Sequence, residues 1–214
     1  MDPEMLAKLV FCFENDPERS DGIISGAQDS IGICMPGLVR HYYDNRFWPE
    51  KIESCHDETV LTWLEDHLCL VPLEPRKPGC SVVEGKDITK KKVESLAAAA
   101  DACWTAILNR DLEGFASAYR ASFEAQVAMF PGMVDPIYVA PKGLAAAGEG
   151  LEADSAKRAD GSLSEIWQAI EYYRALPGVL AWKMPGAGGG GYLALVCRDR
   201  GAFPDGSIPL RIRR

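Results

Sequence analysis

Apolar residues recur along this chain with a period that switches between helical and strand-like, and the switches mark the elements. In residues 3–13, Met5, Leu6, Leu9, Val10 and Phe13 fall on one face of a 3.6-residue repeat, which predicts a short helix. Residues 22–37 are apolar but broken by glycines. Residues 38–43 read as a strand that closes at Asp44-Asn45, with 51–54 as its partner. A short helix is expected over 57–65, and then a buried strand over 67–73 and a Pro/Gly loop over 74–79. The clearest helix spans 89–108, capped by Thr89, with Val93, Leu96, Ala97, Ala100, Trp104 and Ile107 at helical spacing. A second covers 112–129 and stops before Pro131. Large apolar residues almost vanish after Val139, so 135–161 is expected to be an exposed insertion. Ser162 or Ser164 caps a further helix that runs to about Leu176 and ends at Pro177-Gly178. Residues 179–184 and 192–197 are strands on either side of a glycine loop. Helices set against an antiparallel sheet give an α+β class.

Composition narrows the function more than the fold. The 214 residues are 47% hydrophobic and 25% charged, with a net charge of −8. No run of five like charges occurs, which argues against nucleic-acid and membrane-surface partners, since both require clustered cations. Lys90-Lys91-Lys92 reads as the solvated start of a helix. Seven cysteines, an odd number without a C-x-x-C pair, point to reduced thiols in a cytoplasm. The first apolar run is too short for a signal peptide, and no segment reaches the roughly 18 apolar residues of a membrane span. His41, His56 and His67 form no ligand cluster in sequence.

The strongest chemical signal is Lys183-Met184-Pro185-Gly186-Ala187-Gly188-Gly189-Gly190-Gly191-Tyr192-Leu193. Five glycines in six positions between two apolar strands cost backbone entropy. Such a loop must either approach something closely or hold several positive φ values, and its free N–H groups can form a nest for anionic oxygens. Gly186, Gly188 and Gly191 match G-x-G-x-x-G, but a strand follows at once instead of the helix that a dinucleotide site requires. A Walker A loop requires Gly-Lys-Ser/Thr, and Tyr192 stands in that place. The second signal is Ser25-Gly26-Ala27-Gln28-Asp29-Ser30-Ile31-Gly32, followed by Met35-Pro36-Gly37-Leu38. Taken alone, Asp29 after glycines is a turn residue.

Both segments resemble motifs of the GHMP kinases, the galactokinase, homoserine, mevalonate and phosphomevalonate kinase group. The glycine loop is similar to the family's third motif, in the form found in the L-fucokinase and heptose-phosphate kinase branch. The Gln-Asp segment is similar to the family's G-x-Q-D-Q-x-G, with Ser30 where Gln is frequent. The resemblance implies the C-terminal portion of such an enzyme: an antiparallel, ferredoxin-like sheet with helices on one face over 61–214, preceded by a remnant of the N-terminal domain over 1–60. It implies transfer of phosphate from ATP to a hydroxyl of a sugar or sugar phosphate. Asp29 would face the acceptor hydroxyl, either taking its proton or orienting it. Gly186, Ala187, Gly188, Gly189, Gly190 and Gly191 would lie near the nucleotide, Gly26, Gln28 and Arg76 near the substrate, and Glu14 on Mg²⁺. Tyr42, Tyr43 and Trp48 are open to two roles, stacking on a sugar or filling a core.

The family's P-x-G-L-G-S-S loop, which opens a helix onto the phosphates, has no counterpart here, because Pro36-Gly37-Leu38 runs into Val39-Arg40-His41. The resemblance therefore places Met1 inside the family's first domain. It leads us to expect a poorly buried N-terminal face and little turnover by these residues alone, with a separate N-terminal half or a second subunit completing the fold. A non-catalytic metabolite-binding or regulatory relative, and an inactive fragment of a split kinase, are the alternative readings. On the kinase reading Asp29 and the glycine loop converge on one cleft.

Overall fold

A computed structural model describes residues 2–18, 24–76, 80–82, 85–135, 137–138 and 164–214. Gly22, Lys77-Pro78-Gly79, Ser162 and nearly all of the expected insertion lie outside these residues. The chain divides into two compact units, one of Met1–Thr62 with Arg211–Arg214 and the other of Trp63–Leu210.

In the first unit, α1 (Pro3–Glu14) begins where the Asp2 carboxylate accepts the Met5 N–H at 3.0 Å and Pro3 occupies the first turn. Its buried side is Ala7, with Phe11 partly covered beside it, and not the stripe that the 3.6 period picks out. Met5, Leu9 and Phe13 stay 58%, 53% and 60% exposed. A seven-residue helix, α2 (Gln28–Cys34), follows, and Ile31 on it joins Ala7 and Ala27 in a small core edged by Trp48, Val39 and Ile52. Strands β1 (Leu38–Tyr42) and β2 (Lys51–Cys55) pair antiparallel, with Leu38 opposite Cys55 and Tyr42 opposite Lys51. The last residues of the chain return to this unit. Gly37 N–H donates to the Arg213 carbonyl at 2.7 Å, and Arg213 Nη2 donates to the Met35 carbonyl at 2.9 Å. The division between the units falls inside α3 (Glu58–His67).

The second unit is built on a four-stranded antiparallel sheet of β3 (Leu68–Pro72), β6 (Val179–Lys183), β7 (Tyr192–Cys197) and β8 (Ile208–Pro209). Across the sheet the order is β6-β7-β3-β8. In chain order this is 2-3-1-4, the split β-α-β arrangement of ferredoxin-like sheets. The first crossover is helical: α4 (Lys90–Asn109), α5 (Leu112–Met129) and α6 (Glu165–Arg174) all lie between β3 and β6. The second, from β7 to β8, has a 3-10 turn, Arg200–Ala202, where a ferredoxin-like sheet carries a helix. Cys69, Val71, Leu193, Leu195 and Cys197 share one sheet face, and Phe123, Met133, Ile166 and Ile170 pack with them. Helices therefore cover that face, as expected for the α+β class.

Local chemistry explains the helix ends. Thr89 caps α4, and Arg110 closes it in a left-handed conformation with φ 55°. Asp111 then accepts the Gly114 N–H at 3.0 Å and starts α5, so the two helices form a tight hairpin. Ser164 accepts the Trp167 N–H at 3.2 Å and donates to the Val134 carbonyl at 2.5 Å, tying α6 to the chain after α5. Two features correct the sequence reading. Ile137–Tyr138 (β5) pairs with Cys80–Ser81 (β4), so the expected insertion begins with a strand. Ile208–Pro209 also joins the sheet, at its edge, where proline's missing N–H costs least. Among the described residues, no helix is long and apolar enough to cross a membrane.

Candidate functional site

Glu14, Gly26, Gln28 and Asp29 lie in the first unit, and Arg76 and the loop 186–191 lie in the second. Asp29 occupies the first turn of α2, so it is helical and not the turn residue that its glycine context suggests. Its carboxylate is exposed, and no described residue pairs with it. The Gln28 side chain folds back over Gly26, where an added Cβ would stand 2.1 Å from Oε1. The segment is pinned from α1. Asn15 Oδ1 accepts the Ser25 N–H at 2.7 Å, and Asn15 Nδ2 donates to the Phe11 carbonyl at 2.8 Å. That clamp fixes the end of α1, and with it exposed Glu14, against the residues leading into Gly26. No three His, Cys, Asp or Glu side chains converge into a metal cage among the described residues. Mg²⁺ commonly takes only one or two carboxylates and fills its remaining positions with water and phosphate oxygens, and the exposed carboxylate of Glu14 is of the type it takes.

The aromatic candidates separate. Trp48 packs edge-on against Phe11, with centroids 5.7 Å apart, and belongs to the first unit's core. The Tyr42 hydroxyl donates to Glu53 at 2.6 Å, and that hydrogen bond raises its pKa. Tyr43 is exposed. His41 is half-buried, its Nε2 is buried without a partner among the described residues, and burial lowers its pKa. His67 Nδ1 lies 3.0 Å from the Cys197 carbonyl.

In the second unit the loop is folded onto its own protein. All five glycines hold positive φ, from 62° to 137°. At two of them the reason is steric. A Cβ on Gly188 would stand 2.9 Å from the Met133 carbonyl oxygen, and one on Gly190 would stand 2.6 Å from that of Glu74. Gly189 N–H donates to Met133 O at 2.7 Å and Gly191 N–H to Glu74 O at 2.9 Å. Two of the N–H groups that could make an anion nest are thus already committed to carbonyls. Arg76 lies against the same loop, its Nη2 donating to the Gly188 carbonyl at 2.7 Å. The two groups singled out for phosphate and substrate in this half of the chain are therefore neighbours.

Lys183, which opens the glycine motif, carries no role from sequence. Its Nζ donates to Ser122 Oγ on α5 at 2.6 Å and lies 5.8 Å from the Tyr119 ring centre. No carboxylate pairs with it among the described residues, and burial lowers its pKa to about 8. Burial also pushes the Cys103 thiol up to about 11 and raises Tyr119. A single lysine closing an otherwise apolar strand was the available signal.

Fold and site together define an α+β protein with a split β-α-β sheet and a glycine loop between two of its strands. No protein-family model and no curated protein matches the chain. In fold it is similar to the crystal structure of a Campylobacter jejuni protein described as a "putative sugar kinase", with a TM-score of 0.55 and 14% identity over 92% of this chain and 48% of that one. The chain therefore spans about half the length of that protein, and at this identity the likeness is one of fold.

Proposed function

We propose that the chain is part of a GHMP-type kinase that transfers the γ-phosphoryl group of ATP to a hydroxyl of a sugar or sugar phosphate in the cytoplasm. The observation that carries this reading is the contact of Arg76 with the glycine loop. It sets a guanidinium, suited to phosphate oxygens, beside the segment whose sequence resembles the family's third motif. The fold likeness supports it, and so does the unpaired carboxylate of Asp29. On this reading residues 1–60 carry the Gln-Asp segment of the first kinase domain and 61–214 form the second. Asp29 orients the acceptor hydroxyl and Glu14 helps to hold Mg²⁺. Arg76 and the loop 186–191 flank the phosphates, and Gly26 and Gln28 lie towards the sugar. Catalysis of this kind is mostly positioning and neutralisation of charge, so a carboxylate that no cation among the described residues has claimed is what the acceptor requires.

The test is radiolabel transfer from ATP to a panel of free sugars and sugar phosphates, using the protein that contains this chain. Asp29→Asn should lower transfer by about 100-fold or more and leave ATP binding within about twofold. Equal transfer by the variant would remove Asp29 from the chemistry. A second reading is a non-catalytic metabolite-binding relative. It is favoured by one specific observation, the commitment of the Gly189 and Gly191 N–H groups to carbonyls, which makes the loop a packing element. ATP binding without transfer to any sugar would select it.

A further inference from the structure

The helix α1 places its larger apolar side chains outward. The small core beside it is centred on Ala7, Ala27 and Ile31, while Met5, Leu6, Leu9 and Phe13 stay 58%, 40%, 53% and 60% exposed. At about 100° per residue those four fall within an arc of about 100°, and Ala7 and Phe11 lie about 170° from its centre. Cys12, also exposed, borders the row. The helix is thus apolar on two opposite faces, a narrow one turned to Ala27 and Ile31 and a wider one turned away. Apolar residues on both sides are the pattern of a helix packed on both sides. A single exposed leucine means nothing, but a contiguous apolar row marks an interaction site.

Three occupants compete for the row, and two fit it poorly. A membrane surface requires cations beside the apolar face, and α1 carries Glu4 and Glu14 against Lys8, which Glu4 already pairs at 2.8 Å. A second copy could lay α1 on α1, but the row from Met5 to Phe13 is only about 12 Å long. Such a ridge falls well short of the roughly 800 Å² per partner that a stable dimer buries. The third occupant is the rest of a larger fold. This chain spans about half of the sugar-kinase-like structure it resembles, so that fold has about as much polypeptide again with which to cover α1.

We propose that the outer face of α1 seats a second polypeptide layer, contributed by the half of the fold that this chain does not span. That layer meets Met5, Leu6 and Leu9 with an apolar helix or sheet face, and carries lysine or arginine at the rim where Glu14 stands. The contact has the same chemistry whether the layer is joined to this chain or is a separate subunit. The inference rests on the likeness of fold and not on phosphoryl transfer.

Covalent footprinting reads the face directly, because peroxide oxidises Met5 and iodoacetamide alkylates Cys12 where they are open to solvent. In the 214 residues expressed alone, both should react within about threefold of a urea-unfolded control. In the protein purified from the cells that make it, both should react about tenfold more slowly or less, and the mass should exceed that of these residues by something other than a second copy. Leu9→Asp, at an exposed position that the small core does not use, should restore the fast rates. It should also release the added mass where the layer is separate, and lower the melting temperature where it is joined. A denaturing gel tells those two cases apart. Lys8→Gln, outside the row, should leave the protection in place. Fast modification in the native protein, slow modification in the 214 residues alone, or an added mass that is a second copy overturns the inference. Protection of Met5 and Cys12 in a protein that transfers no phosphate to any sugar leaves it standing and strikes only the kinase reading.

Discussion

At the scale of single residues, Gly186 and Gly190 show two different reasons for glycine in one loop. Both hold positive φ, 62° and 137°. Around Gly186 nothing stands within 4 Å of an added Cβ, whereas at Gly190 the Glu74 carbonyl oxygen stands at 2.6 Å. Gly186→Ala should therefore cost only the left-handed penalty, about 1 kcal/mol. Gly190→Ala adds a backbone clash and a φ that only glycine adopts readily, and should cost about 3 kcal/mol or more. Urea denaturation of the two variants separates them, and equal costs would mean that the loop is not wedged against residues 74–76. The sequence announces the first reason, because a run of glycines predicts unusual φ. It cannot announce the second, because Glu74 and Met133 reach the loop only through the fold. Lys183 was hidden for the same reason. Its burial depends on α4 and α5, and in sequence it is one lysine among ten.

At the scale of elements, legibility follows length. The long helices α4 and α5 were readable nearly to the residue, because each carries several turns of apolar repeat and a capping side chain. The helix α2 was not. Its seven residues include Gly32 in mid-helix and bury only Ser30 and Ile31, too little for a period to show. The strands β4, β5 and β8 have two residues each, and such strands are created by their partners and not by propensity. In α1 the period was real but its meaning was not, since Ala7 and Phe11 on the other side face the core. Ser164 shows what an element end is worth. Buried to 1% exposure, it both caps α6 and satisfies the Val134 carbonyl. Ser164→Ala should cost about 2–3 kcal/mol, from a lost cap and a buried carbonyl left without a donor. Ser164→Thr, which keeps the hydroxyl, should recover part of that in the same thermal melt. A cost below about 0.5 kcal/mol would show that α6 is held by packing alone.

At the scale of the whole molecule, the buried titratable groups set a stability profile whose shape is fixed in sign. In the first unit burial holds His41 below its usual 6.5. Below pH 6.5 the unfolded chain therefore binds a proton that the folded chain refuses, and stability falls as pH drops towards the folded pKa. In the second unit Lys183 titrates near 8 when folded and at 10.5 when unfolded. Between those values the unfolded chain holds more protons, so this residue makes stability rise with pH. Cys103 has the opposite effect. Folded, it keeps its proton to about 11 against 9.0 unfolded, so stability falls as pH climbs through that window, and Tyr119, raised from 10.0 by burial, adds to the fall above pH 10. The rise from Lys183 should thus begin near pH 8, be offset by Cys103 from about pH 9, and give way to a decline beyond pH 10. The urea midpoint measured in half-unit steps from pH 5 to 11 resolves these windows. Lys183→Met should weaken the rise between pH 8 and 9 and gain stability at pH 7, because a part-buried ammonium with no carboxylate partner among the described residues has been replaced by a thioether of similar length. Profiles of wild type and Lys183→Met that run parallel from pH 8 to 9 would place the ammonium in water.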